Sequence, residues 1–316
     1  MNILIRTDAS ARIGSGHVMR CLVLAKELKR NGATVKFICQ ERPGNLITLI
    51  KKEGFEVFNI PFSDSEKKQL EAPDANSLSS NWHTDADVVG NIIRNENNIV
   101  DWLIVDHYEI NSDWESSLRS LVKNIMVIDD LADRNHDCDV LLDQNYYIKK
   151  DRYNGLVPQK CHCLLGPRYS LLNSEFANSR VNLSEHTGEI NNILIFFGSS
   201  DLNNETSKAL KAINELIPHK DLTVKVVVGA INPHQVEINR IISQMPNVSL
   251  HVQVKNMSEV IKWADLAIGA GGSTTWERCC LGLPSLVVTL ADNQIEVARD
   301  VARVGAHILL GNAADV

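Results

Sequence analysis

Apolar positions along this chain alternate between two patterns. "NILIRTD" (2–8) is a short, continuous apolar run, and "VMRCLVLAKELKRNG" (18–32) spaces its apolar residues at helical intervals before a basic end and Asn-Gly. "TVKFICQ" (34–40) is the next strand-like run, and "NLITLIKKEGF" (45–55) the next helical one with a glycine stop. Further apolar strands follow at "DWLIVDH" (101–107), "IMVIDD" (125–130) and "DVLLDQN" (139–145), each ending in polar residues. Strands alternating with helices predict βαβ units and a parallel sheet.

Residues 61–98 begin polar and without periodicity, which predicts a surface excursion followed by a helix at "ADVVGNIIRNE" (86–96). From 176 to 190 the chain is again polar and predicts an interdomain linker. The pattern then restarts. "NILIFFG" (192–198) repeats the opening "NILIRTD", the helix "ETSKALKAINEL" (205–216) follows a loop of small residues, and "TVKVVVG" (223–229) repeats "TVKFICQ". The second half continues with "VSLHVQV" (248–254), a helix near 257–263, the segment "ADLAIGAGGSTTWERCCLGLPSLVVTL" (264–290), "DNQIEVARDVARVG" (292–305) and the strand-like "AHILL" (306–310). The expected architecture is α/β: two Rossmann-like domains, 1–175 and 191–316, facing a cleft, with 176–190 between them. A closing helix would be expected beyond the last strand.

At 316 residues, 44% hydrophobic and 22% charged, the composition is that of a globular protein of two domains. The net charge of −7, with basic residues dispersed, argues against nucleic acid as a partner. No apolar stretch approaches the ~20 residues of a membrane helix, and "MNILIRTDAS" lacks the basic and apolar regions of a signal peptide. Seven cysteines without C-x-x-C pairs predict reduced thiols and a cytoplasmic protein. The sequence does not specify an oligomeric state; a monomer is the default.

Three loops could carry chemistry. In "RTDASARIGSGHVMRC" (6–21), Gly14 and Gly16 let the backbone turn and approach a ligand in front of a helix N-terminus that favours an anion. Met19 stands where G-x-G-x-x-G needs its third glycine, which argues against a dinucleotide. His17 is either catalytic or a histidine beside a plain turn. "AIGAGGSTTWERCCLGLPSLVV" (267–288) is more specific: Gly269, Gly271 and Gly272 lead into Ser273 and Thr274, donors suited to a diphosphate. Glu277, one turn later, could accept hydrogen bonds from two ribose hydroxyls. "LIVDHYEIN" (103–111) places Asp106, His107 and Tyr108 at the sheet edge where α/β proteins bind ligands, or Asp106 serves as a helix cap with Tyr108 packed beneath it. The acids and histidine of "DDLADRNHDCD" (129–139), like His83, lack metal-ligand spacing and are expected in solvated or capping roles. No metal and no cofactor are expected.

Together these segments resemble the UDP-2,4-diacetamido-2,4,6-trideoxy-β-L-altropyranose hydrolases of pseudaminic acid biosynthesis. The matching stretches are "RTDASARIGSGHVMRCLVLA", "LIVDHY", "IDDLADRNHDCDVLLDQN", "GPRYSLLNSEF", "FFGSSDLNN", "GAGGSTTWERCCLGLPSLVV" and "DNQ", in order along the chain. The resemblance implies the glycosyltransferase-B architecture of the transferase MurG, with UDP gripped mainly by the C-terminal domain. It implies that His17 is the catalytic base or positions the water, and that Tyr108 and Asn293 reach the reacting sugar. It also implies that Gly14, Gly16, Asp106, Gly198, Ser199, Ser200, Asp201, Gly271, Gly272, Ser273, Thr274, Glu277 and Gln294 contact the UDP sugar. Attack at C1 with inversion and without a metal comes with it. The sequence departs from the family at Ser199, where a second glycine is usual, and at Asn173, where an arginine is common. The competing readings are a MurG-like UDP-sugar transferase or epimerase, and a binding protein without catalysis.

Overall fold

The computed structural model describes residues 1–10, 13–62, 82–181, 183, 188–217 and 220–316. The expected excursion between strand and helix falls on 63–81, outside these residues. The chain divides into two compact units, the first formed by 1–145 and 149–171, the second by 146–148 and 172–316.

In the first unit, β1 (Asn2–Thr7), β2 (Thr34–Gln40), β3 (Glu56–Ile60), β4 (Val100–Asp106), β5 (Val122–Ile128), β6 (Val140–Asp143) and β7 (His162–Leu165) form one sheet. Its order is β3-β2-β1-β4-β5-β6-β7, with every neighbouring pair parallel. Helices α1 (Gly16–Arg30) and α2 (Ile47–Lys52) cover one face, and α3 (Trp82–Arg94) and α4 (Ser112–Leu118) the other. Because helices cover both faces, the strands read as continuous apolar runs. Val18, Cys21, Leu22 and Ala25 of α1 pack on Ile3, Ile5 and Phe37, whereas Val89, Ile93, Trp114 and Leu118 pack on Leu103, Val105, Ile125 and Val127.

The second unit repeats this plan with β8 (Asn192–Phe196), β9 (Thr223–Val228), β10 (Val248–Val252), β11 (Leu266–Ala270), β12 (Ser285–Thr289) and β13 (Ile308–Asn312). These strands are parallel in the order β10-β9-β8-β11-β12-β13. The helices are α5 (Ser174–Val181), α6 (Glu205–Leu216), α7 (Gln235–Ile242), α8 (Met257–Trp263), α9 (Thr274–Cys280) and α10 (Asp292–Arg303). In each sheet the strand order reverses once, between β1 and β4 and between β8 and β11. Loops leaving the carboxyl ends of those strands line the crevice where open α/β sheets take ligands.

Two expectations are corrected. The boundary lies at Leu171/Leu172 and not at 175, and residues 176–181 of the expected linker belong to α5 within the second unit. That helix has little apolar periodicity; it is held by Phe176, buried against Leu194, Ile261 and Leu281, and by Ser179 Oγ, 2.8 Å from Ser258 Oγ. Tertiary packing rather than amphipathic pattern makes it a helix. Edge strands β3 and β7 were absent from the sequence expectation; their half-buried positions carry no continuous apolar run. All seven cysteines are free thiols, and no helix of the described residues is long and apolar enough to cross a membrane.

Candidate active site

In the first unit, the loop after β1 turns through Gly14, whose φ of +82° is the left-handed region that favours glycine, and whose amide donates to Ser10 O at 2.9 Å. Helix α1 starts at Gly16, two residues before the expected run, so His17 sits inside its first turn and is 6% exposed. His17 Nδ1 lies 2.5 Å from Asp106 Oδ1 at the end of β4. Arg20, one turn along α1, donates from Nε to Asp106 Oδ2 and from Nη2 to Asp106 Oδ1, both at 2.7 Å, and from Nη1 to Asp130 Oδ2 at 3.0 Å. The Tyr108 hydroxyl is hydrogen-bonded to Asp130, and its ring meets the His17 ring edge-on at 4.4 Å.

Burial alone would raise the Asp106 carboxyl, but the adjoining charges of Arg20 and His17 outweigh it and hold the group well below the ordinary carboxylate range. An ionised carboxylate only accepts hydrogen bonds, so the His17 Nδ1 facing it at 2.5 Å carries a proton. Arg20 Nη2, at 3.2 Å from Nδ1, is the more distant neighbour and is spent on the same carboxylate. With that proton on Nδ1, Nε2 is the nitrogen left to accept one, and it has no hydrogen-bond partner among the described residues. A fixed tautomer with a free basic nitrogen is the working part of a histidine general base. Burial, with Asp130 alongside, pushes the Tyr108 hydroxyl far above its ordinary value, so it stays protonated.

Beside this group lies a second charged cluster. Asp8 accepts from Arg6 Nη1 at 2.6 Å and from the Gln40 amide at 2.7 Å, with His107 Nε2 at 3.2 Å. Arg6 also donates to Asp85 at 2.7 Å, and Asp85 receives Trp114 Nε1 at 2.9 Å. His107 is thereby buried in structure. The acids of 129–139 were expected in solvated or capping roles; Asp133 is exposed and Asp129 accepts the Ala132 amide at 2.9 Å, but Asp129 also pairs with Arg134 at 2.9 Å, Asp137 and Asp139 with Arg119, and His136 with Glu115 at 2.7 Å. His83 is exposed and stacks on Trp82 at 3.6 Å. Among the described residues, no group of three His, Cys, Asp or Glu is placed to hold a metal.

In the second unit, the loops after β8 and β11 are neighbours because their strands pair, Phe196 opposite Gly269. A Cβ at Gly269 would stand 2.3 Å from Phe196 O, so only glycine fits there. Gly271 and Gly272 differ: an added Cβ would meet only ordinary contacts, the nearest being Val287 at 3.4 Å and Gln294 Nε2 at 3.6 Å respectively. Arg278, buried in α9, braces the loop from beneath by donating to Ala270 O at 2.9 Å and Thr274 Oγ1 at 3.1 Å. Burial lowers its guanidinium to about 10, against the opposing pull of Cys279 and Glu277. Glu277 is half-buried, and its carboxylate has no hydrogen-bond partner among the described residues. Burial raises it to about 7, with Arg278 lowering and Glu175 raising it further. Gln294 Oε1 accepts the Leu290 amide at 2.9 Å, which sets its amide group beside Gly272, and Asn293 is exposed at the start of α10.

The structure thus brings His17, Asp106 and Tyr108 together with the Gly14–Gly16 turn. Separately, it brings Gly271, Gly272, Thr274 and Gln294 together in the second unit, with Gly198, Ser199 and Ser200 on the adjoining loop. Two expected ligand contacts are corrected. Asp106 is fully buried with both oxygens engaged, so it orients His17 instead of meeting substrate. Asp201 is 3% exposed and caps α6, its two oxygens accepting the amides of Glu205 and Thr206 at 2.9 Å. Arg20, Asp130 and Arg278 were missed. Arg20 lies three residues from His17, on the same face of a helix, and that spacing was the available signal.

Residues 192–314 match the glycosyltransferase family 28 C-terminal domain. The chain is 27% identical to the UDP-2,4-diacetamido-2,4,6-trideoxy-β-L-altropyranose hydrolase of Campylobacter jejuni, over 98% of each. It is 28% identical to an uncharacterized protein of Methanocaldococcus jannaschii over 94% of its own length, spanning 57% of that relative. Among solved structures, MurG of Acinetobacter baumannii matches with a TM-score of 0.63 at 14% identity, over 99% of this chain and 86% of that one. The resemblance carried by the motifs is therefore borne out: along nearly its whole length the chain is similar to a UDP-sugar hydrolase, and it is built on the glycosyltransferase-B fold, with residues 192–314 similar to the family 28 C-terminal domain.

Proposed function

We propose that this protein hydrolyses UDP-2,4-diacetamido-2,4,6-trideoxy-β-L-altropyranose at its anomeric carbon, releasing UDP and the free sugar with inversion, as a step in making a pseudaminic-acid-type surface glycan. The observation that carries this reading is His17, with Nδ1 tied to a buried, ionised Asp106 and Nε2 without a partner among the described residues. Water attacks C1 as the C1–O bond to the diphosphate breaks; the electron pair leaves with UDP, and the proton of the water passes to Nε2. Tyr108 and Asn293 contact the sugar. The departing diphosphate is met by the Gly271–Thr274 turn and by the Gly198–Ser200 loop. The amides of Gly272 and Ser273 have no backbone acceptor among the described residues. Glu277 takes the ribose hydroxyls. The Glu277 carboxylate, without a hydrogen-bond partner among the described residues, and the similarity to the Campylobacter enzyme support this assignment.

The test is turnover of that UDP sugar in ¹⁸O-water. Label is expected in the sugar and not in UDP, the first-formed anomer is expected to be inverted, and the rate is expected to be unaffected by EDTA. Label in UDP would place the attack on phosphorus and overturn the reading.

A further inference from the structure

Resting on that reading, we infer that Arg20 is the positioning residue that decides which nitrogen of His17 acts as the base. The contacts form a closed ring. Arg20 grips Asp106 through two parallel hydrogen bonds of 2.7 Å and reaches Asp130 at 3.0 Å. Asp106 passes the contact to His17 Nδ1, Asp130 passes it to the Tyr108 hydroxyl, and the Tyr108 ring closes on His17. The Arg20 side chain is only 9% exposed, so water does not replace it.

The chemistry follows from the inventory of donors. Two carboxylates, one wholly buried and one 13% exposed, converge on this guanidinium. Without the cation, one of them is driven to hold a proton. A protonated Asp106 becomes a donor toward His17 Nδ1, the imidazole proton moves to Nε2, and the lone pair that should receive the proton of the water is lost. The planar fork of arginine suits both carboxylate oxygens at once, which a lysine ammonium cannot do. Arg20 never needs to touch substrate to control the reaction.

The experiment is long-range ¹H–¹⁵N NMR of the full chain labelled at histidine nitrogen, without substrate and at a pH where His17 is neutral, alongside kcat and KM. Wild type is expected to show His17 as the Nδ1–H tautomer. Arg20→Met is expected to shift it to Nε2–H and to lower kcat about 100-fold, with KM changed less than about threefold. Arg20→Lys, which restores the charge without the fork, is expected to keep Nδ1–H and to recover kcat to within about tenfold of wild type. Asp130→Asn is expected to leave the His17 tautomer unchanged, since its link to His17 runs through Arg20 and Tyr108 only. Retention of Nδ1–H in Arg20→Met overturns the inference. If Arg20→Met does not fold, Arg20→Gln, which also removes the charge, decides by the same readout: Nε2–H with kcat reduced at constant KM supports the inference, and retained Nδ1–H overturns it. The tautomer is read without substrate, so wild-type protein that shows Nδ1–H but no turnover would sink the hydrolase reading and leave this inference standing.

Discussion

The two units share one topology and one switch point, yet they fill it with opposite chemistry. Between β1 and β4 lie arginines, carboxylates and a histidine, buried and paired so that almost every charge is spoken for. Between β8 and β11 lie glycines, hydroxyls and amides, with one carboxylate, Glu277, left without a hydrogen-bond partner among the described residues. A paired buried network is costly to assemble and rigid once assembled, which suits a group that must present one nitrogen in one direction. An open floor of small residues suits a ligand that brings its own charge. On the proposed function, the same scaffold separates chemistry from grip.

The largest expected effect breaks that separation from the side of the first unit. His17→Ala is expected to lower kcat for the UDP sugar by about 10²–10⁴-fold, the range for a positioned general base. UDP affinity measured by calorimetry is expected to stay within about threefold, because the proposed function assigns the grip to the second unit. Loss of UDP binding together with turnover would show that the two tasks are not divided in this way.

How far the sequence revealed this division depends on the kind of signal each part leaves. Central strands buried on both faces, such as Ile3–Ile5 and Val224–Val228, announce themselves as apolar runs, and α6 and α8 were legible to the residue. Edge strands β3 and β7, and helix α5, owe their form to neighbours that a local pattern does not show. In the site, glycines and His17 were legible because their spacing is local. Arg20, Asp130 and Arg278 act across 86, 110 and 8 residues of sequence, and an arginine on a helix looks like any solvated base until its carboxylate is found. Asp106 and Asp201 were seen but given the wrong partner: in each case the oxygens that looked available to a ligand are consumed by His17 and Arg20, or by the amides of α6.

The comparison sharpens at Glu277, whose burial places it at about 7. Ribose hydroxyls donating to the carboxylate favour its charged form, so UDP affinity is expected to rise as the pH goes from about 6 to 8, with proton release on binding. The same group works against the fold. Its folded value lies above the ordinary ~4.3, so its stabilising contribution is complete below that value and is lost as the pH rises through 7. Glu277→Gln is expected to flatten the pH dependence of UDP binding and weaken it about tenfold at pH 8, while raising the melting temperature there. Tight, pH-independent binding in the variant would show that Glu277 meets no donor from the ligand.

The smallest effect separates a cap from a ligand contact. Asp201 ends the loop after β8, where the sequence suggested a partner for UDP, but both of its oxygens serve the first amides of α6. A carboxylate there also adds negative charge near the expected diphosphate. Asp201→Asn keeps one acceptor for the helix and removes that charge. Stability is therefore expected to fall by about 1 kcal/mol, the usual worth of a cap bond, while UDP affinity stays within about twofold or tightens slightly. Chemical denaturation and calorimetry on the same preparation read both numbers. A tenfold loss of UDP affinity at unchanged stability would return Asp201 to the ligand and blur the line between the loop that grips and the helix behind it.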